Sequence, residues 1–227
     1  MNQSIHPLPQ HDRRLFVFDL DGTLTDSEET IYKAAVSTLA EYGIHNAITA
    51  EQMRARIGAH FADIFHELDI PITDVESFIE KYIVHYFRYI DGTFVYEGVE
   101  DLLRHLKAEG HAVALLTTKA QDQADLIIDH FRLRKYFDLV MGRRPELPVK
   151  PDPGGLLSII AELGFTPETT VMIGDSEFDI RCGKNAGTGT VGCLYGFRSE
   201  EFLRNEQPDY LIARPIELTA LQISGQG

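Results

Sequence analysis

Cysteine and positive charge are both scarce in this sequence. Two cysteines, Cys182 and Cys193, are too few for a disulfide framework and predict reduced thiols in a cytoplasmic protein. The 21 Lys and Arg residues are outnumbered by 35 Asp and Glu residues, which gives a formal net charge of −14. This charge disfavours a nucleic-acid polymer as partner, because such binding requires Lys and Arg at the phosphates. A small anionic substrate stays compatible with it, because a local site can oppose the overall charge.

Long apolar segments are missing as well. No apolar run approaches the roughly 20 residues that cross a bilayer, so we expect no membrane association. Residues 1–14 contain no apolar signal-peptide segment, and we expect them to form a loose arm before the first strand. The sequence has neither an internal repeat nor a long flexible linker. The 227 residues therefore predict one large globular core, alone or with a smaller insert.

Five short apolar segments predict the strands of a sheet. They span residues 14–20, 112–118, 136–141, 170–175 and 190–195. Their apolar runs are continuous rather than alternating, which is typical of parallel strands buried on both faces. Helical patterns lie between them, for example at 99–106 before Gly110, and from Asp152 and Pro153 to Gly164. This alternation predicts an α/β fold, a Rossmann-like doubly wound parallel sheet with helices on both faces.

Residues 26–96 break the alternation, because they contain helix signals and no convincing strand. Helix starts are predicted at DSEE (26–29) and at two capping boxes, TAEQ (49–52) and TDVE (73–76). The apolar stripe along the last of these helices is typical of helix packing. We therefore predict a core domain of residues 1–25 and 97–227. Residues 26–96, called the helical insertion below, are predicted to form a cap domain.

Polar side chains follow the predicted strands, at the edge where ligands of open α/β sheets bind. These residues are Asp19, Asp21, Thr117, Thr118, Lys119, Lys150, Asp175 and Asp179. Because parallel strands all end at the same edge of a sheet, we expect these carboxylates, hydroxyls and amines to share one rim.

The carboxylates at this rim predict a metal site. Asp19 and Asp21 are two positions apart, so they point to the same side with α-carbons roughly 6.6 Å apart, and Asp175 can join them from a neighbouring strand. Clustered carboxylates resist ionisation unless a positive charge compensates them. A few carboxylates with waters and a substrate phosphate are the ligand set expected of Mg²⁺.

The acidic pair has two other interpretations. A calcium loop beginning at Asp19 is excluded, because Thr23, Leu24 and Thr30 stand where an acid, Gly and Glu are required. A solvated strand end that binds no metal remains an alternative.

Two short motifs in the C-terminal half are misleading. GTGTVG (187–192) matches a dinucleotide-binding pattern, but it follows a helical segment and precedes a strand, so Gly187 is better interpreted as a helix stop. GDS (174–176) suggests an esterase nucleophile at Ser176. That mechanism needs a histidine base, usually downstream of the serine, whereas the last histidine is His130.

Four motifs in order resemble those of the haloacid dehalogenase superfamily. They are DLDGT (19–23), the strand-terminal Thr117, KPDP (150–153) and GDSEFD (174–179), and the resemblance covers residues 14 to about 213. The helical insertion resembles the C1 caps of that superfamily. Asp21 resembles its phosphatases and phosphomutases, since dehalogenases usually lack this acid. Thr23 is closer to the phosphatases than to β-phosphoglucomutases, which often have Val there.

The resemblance implies a Mg²⁺-dependent phosphatase that acts on small phosphorylated metabolites through an aspartyl-phosphate, similar to phosphoglycolate phosphatases. It implies Asp19 as the nucleophile and Asp21 as the general acid and base. The other implied roles are phosphate binding by Thr117, Thr118 and Lys150, Mg²⁺ binding by Asp19, the Asp21 carbonyl and Asp175, and positioning of the site by Asp179 and Ser176.

Substrate choice is expected to depend on the helical insertion. Its segment RARIGAHF (54–61) offers Arg54, Arg56, Gly58, Ala59 and His60 for contacts with the leaving group. Alternatives on the same chemistry are a sugar phosphomutase, a 5′-nucleotidase and a pyrophosphatase, and a non-catalytic metal- and phosphate-binding protein is a further one. A monomer and a homodimer are both compatible with the sequence.

Overall fold

The computed structural model describes residues 13–221, so most of the predicted N-terminal arm lies outside the described residues. The strands are β1 (Leu15–Phe18), β2 (Thr25–Asp26), β3 (Phe94–Val95), β4 (Ala112–Ala120), β5 (Leu139–Arg143), β6 (Thr170–Gly174), β7 (Gly189–Cys193) and β8 (Tyr210–Ile212). The helices are α1 (Glu28–Glu41), α2 (Ala50–Arg54), α3 (Phe61–Glu67), α4 (Val75–Arg88), α5 (Val99–Ala108), α6 (Gln121–His130), α7 (Gly154–Leu163), α8 (Glu177–Ala186) and α9 (Glu200–Asn205). Within residues 13–221, no helix is both long and apolar enough to cross a membrane.

Six strands form one sheet in the order β5-β4-β1-β6-β7-β8, and each neighbouring pair is parallel. Phe18, the last residue of β1, is in register with Leu115 of β4 and Ile173 of β6. The chain proceeds from β1 to one side of the sheet and later crosses to the other. The carboxyl end of β1 therefore lies where the strand order reverses, which is where doubly wound folds bind ligands.

The side chains of β1 alternate between two buried apolar clusters. Phe16 and Phe18 belong to the cluster that contains residues of α5 and α6, and Leu15 and Val17 to the cluster that contains residues of α7 and α8. Both faces of the sheet are thus covered, which explains why β1 is continuously apolar in sequence. The predicted α/β fold with a doubly wound parallel sheet is confirmed.

Several predicted boundaries in the sheet region were wrong by a few residues. A short 3₁₀ turn occupies Arg134–Tyr136, so β5 begins at Leu139 rather than at residue 136. Helix α7 begins at Gly154 rather than Pro153, and the Asp152 carboxylate accepts a hydrogen bond from the Gly154 amide at 2.8 Å. Strand β8 was not predicted, because three residues are too few to show a period.

The helical insertion packs around a cluster of aromatic rings. Phe61, Phe65, Phe78 and Tyr82 contact one another, with centroids 4.8 Å apart for Phe61–Tyr82 and for Phe65–Phe78. Phe78 is fully buried, as expected for the apolar stripe of α4. Phe65, Phe78 and Tyr82 belong to the same buried cluster as Phe16 and Phe18 of β1, so the apolar core of the insertion is continuous with that of the sheet.

Two expectations about the helical insertion were wrong and one was correct. It is not free of strands, since Asp26 in β2 pairs with Phe94 in β3 and brings its two ends together. The N-cap of α4 is Asp74 rather than Thr73, and its carboxylate accepts from the Ser77 amide. The capping box at TAEQ is present as predicted. The division of the chain into a core and a cap domain stays a prediction.

Candidate active site

The ends of β1, β4 and β6 bring the predicted polar residues to one edge of the sheet. Asp19 directly follows β1, Asp175 directly follows β6, and Thr117 lies within β4, just after Leu116, where the register with β5 shifts. The amide of Asp19 still donates to the Ile173 carbonyl at 2.9 Å, which continues the ladder by one residue. The backbone at the edge is therefore held by the sheet, and the acidic side chains extend beyond it.

Lys150 links two of the acids. Its ammonium group donates to Asp19 Oδ1 at 2.6 Å, to Asp179 Oδ1 at 2.6 Å and to the carbonyl of Leu116 at 3.0 Å. The lysine side chain is only 4% exposed. All three ammonium hydrogens thus have an acceptor in a place that water scarcely reaches.

The carboxylates of this cluster have perturbed acidities. Burial raises the pKa of Asp19 to about 7; Lys150 opposes this, and the charges of Asp179 and Asp21 add to it. Burial likewise raises the pKa of Asp175 well above its usual range, with further contributions from Asp179 and Asp19. Burial alone would lower the pKa of Lys150, but the two carboxylates beside it raise that pKa above its usual value. One ammonium is too little positive charge for three buried carboxylates.

Two glycines allow the backbone to pass close to the side chain of Asp175. A β-carbon at Gly22 would lie 2.3 Å from Asp175 Oδ2, and one at Gly196 would lie 2.3 Å from the Asp175 β-carbon. Gly22 also has a φ of +82°, in the region that favours glycine. The amide of Phe197 donates to Asp175 Oδ2 at 2.7 Å. Asp175 is therefore held between the loops that contain Gly22 and Gly196, and a larger residue at either position would collide with its side chain.

Asp179 and Ser176 hold each other at the start of α8. The Ser176 hydroxyl and amide both donate to Asp179 Oδ2, at 2.6 and 3.1 Å. Gly174 leaves room for this carboxylate, because a β-carbon there would lie 2.1 Å from Asp179 Cγ. Both carboxylate oxygens of Asp179 thus already accept hydrogen bonds, since Lys150 donates to Oδ1.

The donor set fits a hard divalent cation. Asp19, Asp175 and Asp179 each offer a carboxylate oxygen, and these atoms lie within 4.8 Å of one another. All are oxygen ligands, buried, and short of compensating charge, as a Mg²⁺ site requires. The structure brings Asp19 and Asp175 together as predicted, and it adds Asp179 to the same cluster. The backbone carbonyl of Asp21 stays a predicted ligand.

The side chain of Asp21 lies apart from this cluster. Its Oδ1 accepts from the Ser27 hydroxyl at 2.5 Å, and its Oδ2 pairs with Lys119 Nζ at 3.2 Å. Lys119 Nζ also lies 4.5 Å from the centroid of the Tyr86 ring. Although Lys119 follows the second predicted strand, the sequence did not indicate that it would pair with Asp21.

The two threonines of β4 face different cavities. Thr117 is buried and lines a small cavity together with Lys150, while Thr118 lines a larger pocket together with Asp21. The Thr117 hydroxyl accepts from the Lys119 amide at 3.3 Å. Successive residues of a strand point to opposite sides, which explains the separation.

The larger pocket lies between the sheet edge and the helical insertion and measures about 540 Å³, open solvent included. The apolar side chains in its wall include those of Met53, Ile57, Phe61, Ile64, Ile79 and Tyr82. Of the candidates in segment 54–61, Arg56, Gly58, Ala59 and His60 line it. The Arg56 guanidinium pairs with both carboxylate oxygens of Glu67, at 3.1 and 2.8 Å.

Arg54 is engaged elsewhere. Its guanidinium pairs with Glu28, lies 5.5 Å from the Phe197 ring centroid, and is not part of the wall of the larger pocket. The structure thus places Arg54 outside the pocket that the other candidates of segment 54–61 line, although their closeness in sequence led us to expect all of them at the site.

Two arginines near the site were missed from sequence. Arg143, at the end of β5, lines the larger pocket and pairs with Glu76 of α4 at 2.6 Å. Arg198 donates to the carbonyls of Arg54 and Ile57 at 3.2 and 3.1 Å. Only its position after an apolar strand could have indicated Arg143 as a site residue. No sequence pattern indicated Arg198.

Comparison with known proteins agrees with this geometry. A family model described as haloacid dehalogenase-like hydrolase matches residues 16–193. Pyrophosphatase PpaX of Listeria welshimeri is 32% identical over 206 residues, covering 90% of this chain and 94% of the relative. Phosphoglycolate phosphatase of Aquifex aeolicus is 31% identical over 209 residues, covering 92% and 96%. A haloacid dehalogenase-like family hydrolase from Streptococcus pneumoniae, a solved structure, has a TM-score of 0.81 at 26% identity, covering 93% and 99%.

Proposed function

This chain belongs to the haloacid dehalogenase-like hydrolases, and from that premise we propose that it is a Mg²⁺-dependent phosphatase of small phosphomonoesters. The observation that carries the proposal is the arrangement of two acids beyond β1. Asp19 belongs to the carboxylate cluster around Lys150, whereas Asp21 lines the pocket below the helical insertion. A nucleophile and a separate proton donor are what a two-step phosphoryl transfer needs.

The first step is attack by Asp19 on phosphorus. Lys150 occupies Oδ1 of this carboxylate, so we assign the attack to Oδ2, which forms an aspartyl-phosphate as the bond to the leaving oxygen breaks. Asp21 gives its proton to that oxygen, and the alcohol leaves. In the second step water attacks the same phosphorus and Asp21 takes its proton, which releases inorganic phosphate and restores Asp19. Proton transfer of this kind is worth roughly 10²–10⁴-fold.

Charge is the main obstacle to the first step, since an anion approaches a phosphate dianion. Each close pair of like charges costs about 4 kcal/mol at an effective dielectric near 20. Lys150 offsets part of this, and Thr117, which lines a cavity together with Lys150, offers a hydroxyl to the phosphoryl oxygens. Thr118 lines the larger pocket together with Asp21, so its hydroxyl is available on the leaving-group side of the substrate instead. When bound by Asp19, Asp175 and the Asp21 carbonyl, Mg²⁺ supplies the positive charge that the lysine alone lacks.

Two classes of substrate are compatible with this chemistry. The named relatives are a pyrophosphatase and a phosphoglycolate phosphatase, so pyrophosphate hydrolysis is the second candidate function. We favour a phosphomonoester, because most of the pocket wall is apolar and suits a carbon-containing leaving group better than a second phosphate.

The proposal is tested by measuring phosphate release from phosphoglycolate, pyrophosphate, nucleotides and sugar phosphates, with Mg²⁺ or with EDTA. We expect Mg²⁺-dependent release that is abolished by Asp19→Asn and reduced by roughly 10²–10⁴-fold by Asp21→Asn. Asp101→Asn, which alters an exposed carboxylate paired with Arg104, is the matched control. Absence of release from every compound by the folded protein would contradict the proposal, and release that requires a bisphosphate would favour a phosphomutase.

A further inference from the structure

We propose that the larger pocket selects a phosphomonoester whose leaving group is an apolar body carrying an anionic acceptor such as a carboxylate, and that His60 and Arg143 bind this acceptor. The inference rests on the proposed phosphatase function and names the class of its substrate. It concerns the part of the pocket away from the carboxylate cluster, where the leaving group lies during the reaction.

The first observation is a hydrogen-bond donor on His60. This residue is the N-cap of α3, and its Nδ1 accepts from the Ala62 amide at 3.3 Å. Burial, together with the nearby charge of Arg143, lowers the pKa of His60, which favours the neutral ring. With Nδ1 acting as acceptor, the proton of the neutral ring is on Nε2. That Nε2 is buried and has no partner among residues 13–221.

The second observation is a donor on Arg143. One terminal nitrogen of its guanidinium donates to Glu76 at 2.6 Å, but its Nε is buried and without a partner among the described residues. Among the described residues, Gln123 Nε2 in the same wall is also buried and without a partner. A buried donor left unpaired is unfavourable, so the donors of His60 and Arg143 in the wall of one pocket indicate that a ligand satisfies them. Both need an acceptor, and an anionic acceptor gives the stronger bond.

The other cations of the pocket already have partners. Arg56 is paired with Glu67 through two hydrogen bonds, and Lys119 with Asp21. The guanidinium of Arg143 is paired with Glu76, but the Glu76 side chain is 63% exposed and therefore neutralises the charge only from the solvent side. The Nε of Arg143 still has no partner among the described residues. Arg143 is therefore the cation that is best placed to attract a charged substituent.

The third observation is the span of the pocket. Asp21 follows β1, and Arg143 ends β5, which is separated from β1 by β4. Two strand spacings amount to roughly 10 Å. A leaving group that reaches from the phosphoryl site toward Arg143 is thus longer than the two carbons of glycolate, and it lies against an apolar wall that includes Phe61, Ile64 and Ile79. An aromatic or branched carbon skeleton suits that wall.

The test compares two esters of equal shape, 4-carboxyphenyl phosphate and its uncharged analogue 4-carbamoylphenyl phosphate. We expect wild-type kcat/KM to be about tenfold higher for the carboxylate, and higher than for phosphoglycolate. In Arg143→Gln the ratio of the two kcat/KM values should fall to near one. A partial loss of folding would lower both kcat/KM values by the same factor and leave their ratio unchanged, so the ratio is the readout.

Glu76→Gln tests the same contact in the opposite direction and does not depend on the folding of the first variant. Removing this carboxylate frees the guanidinium of Arg143, so the preference for the charged ester should rise severalfold. Arg181→Gln is the control, because Arg181 also pairs with a single glutamate, Glu206, but does not line the pocket. Its ratio should equal that of the wild type.

The outcomes separate the two proposals. Equal wild-type kcat/KM for both esters, or a ratio unchanged by Arg143→Gln and by Glu76→Gln, overturns the inference and leaves the phosphatase function intact. No hydrolysis of either ester or of any other phosphomonoester overturns the function, and the inference falls with it. A ratio that falls in Arg143→Gln and rises in Glu76→Gln supports the inference.

Discussion

Lys150 lies between two carboxylates that would otherwise repel each other. Its distances of 2.6 Å to Asp19 and to Asp179 show that it positions the proposed nucleophile as well as lowering the charge around it. The lysine also accounts for the orientation of Asp19, since it holds one carboxylate oxygen and leaves the other for the proposed attack. In the proposed mechanism, the chemistry therefore depends on a buried cluster of one lysine and two carboxylates that joins three segments of the chain.

Replacing this lysine should damage both stability and activity. In Lys150→Met the carboxylates lose their buried partner, and we expect the free energy of unfolding in EDTA to fall by about 3 kcal/mol. Activity should fall by at least about 10²-fold, because the nucleophile loses its orientation. Urea denaturation and phosphate release measure the two effects. Lys107→Met removes a half-exposed pair with Asp138 and should cost about 1 kcal/mol or less, and equal losses in the two variants would contradict this account.

The identity of single site residues was partly predictable from sequence. Asp19 and Asp175 follow from polar residues at strand ends, because parallel strands deliver their ends to one edge. Lys150 follows from the KPDP motif (150–153) before α7. Arg143 and the pairing of Lys119 were not predictable in this way, because a strand end gives a position but not the neighbours across the pocket. Glu76, the partner of Arg143, comes from the helical insertion, whose packing the sequence pattern does not specify. Asp21, the partner of Lys119, comes from the end of a different strand.

At the scale of elements, Arg198 connects the loop after β7 to the segment between α2 and α3. It donates to two carbonyls of that segment, those of Arg54 and Ile57, and its Nε pairs with Glu177 at 2.9 Å. The segment continues into Gly58 and His60, which line the pocket. The arginine thus fixes one wall of the pocket relative to the sheet.

Arg198→Lys should loosen this wall while leaving the carboxylate cluster in place. Lysine keeps the charge but lacks the planar fork that reaches three acceptors. We expect KM to rise severalfold with a smaller change in kcat, and the amides of residues 55–60 to exchange hydrogen faster. Arg204→Lys, which alters an exposed pair with Glu200, is the control. Unchanged exchange in the segment would show that Arg198 does not hold it.

Element boundaries show where sequence patterns stop being informative. Strands β2 and β3 have two residues each, so no periodicity could reveal them, although they join the two ends of the helical insertion. By contrast, β1 and β6 were predicted closely, because both faces of these strands are buried and their apolar runs are continuous. Predictability thus followed the amount of apolar surface that an element buries.

At the scale of the whole molecule, the strand order places the site at the point where the sheet reverses direction. The alternation of strands and helices was enough to predict this fold, and the resemblance to the haloacid dehalogenase superfamily is confirmed over residues 16–193. Four acids are buried near one edge, and we expect them to make stability depend on pH and on a bound cation. That dependence is a property of the folded molecule as a whole, because the unfolded chain separates the acids.

The raised pKa of Asp19 determines whether the stability of the folded protein rises or falls with pH. Burial, aided by Asp179 and Asp21 and opposed by Lys150, raises it from 3.8 to about 7 in the folded protein. Between these values the folded protein holds a proton that the unfolded chain has lost, so the contribution of Asp19 to stability declines as pH rises from about 4 to about 7. Asparagine has no such titration.

In EDTA, Asp19→Asn should therefore become more stable than wild type as pH rises through this window, with a difference of about 2–4 kcal/mol at its upper end. Mg²⁺ should raise the melting temperature of wild type at pH 7.5 and do so less for the variant. Thermal melts from pH 4 to 8 measure both effects. A difference that is constant over this range would mean that Asp19 ionises normally in the folded protein.

Covalent capture of the phosphoryl group on Asp19 tests the central claim most directly. The Asp21→Asn variant, which should hydrolyse the intermediate slowly, is mixed with Mg²⁺ and the best phosphomonoester and quenched with borohydride, which reduces an acyl phosphate to an alcohol. Peptide mass spectrometry then locates the reduced residue. We predict homoserine at position 19 and at no other acid, and none when substrate is omitted. Phosphate release without any modification at position 19, or modification at another acid, would contradict the proposed mechanism.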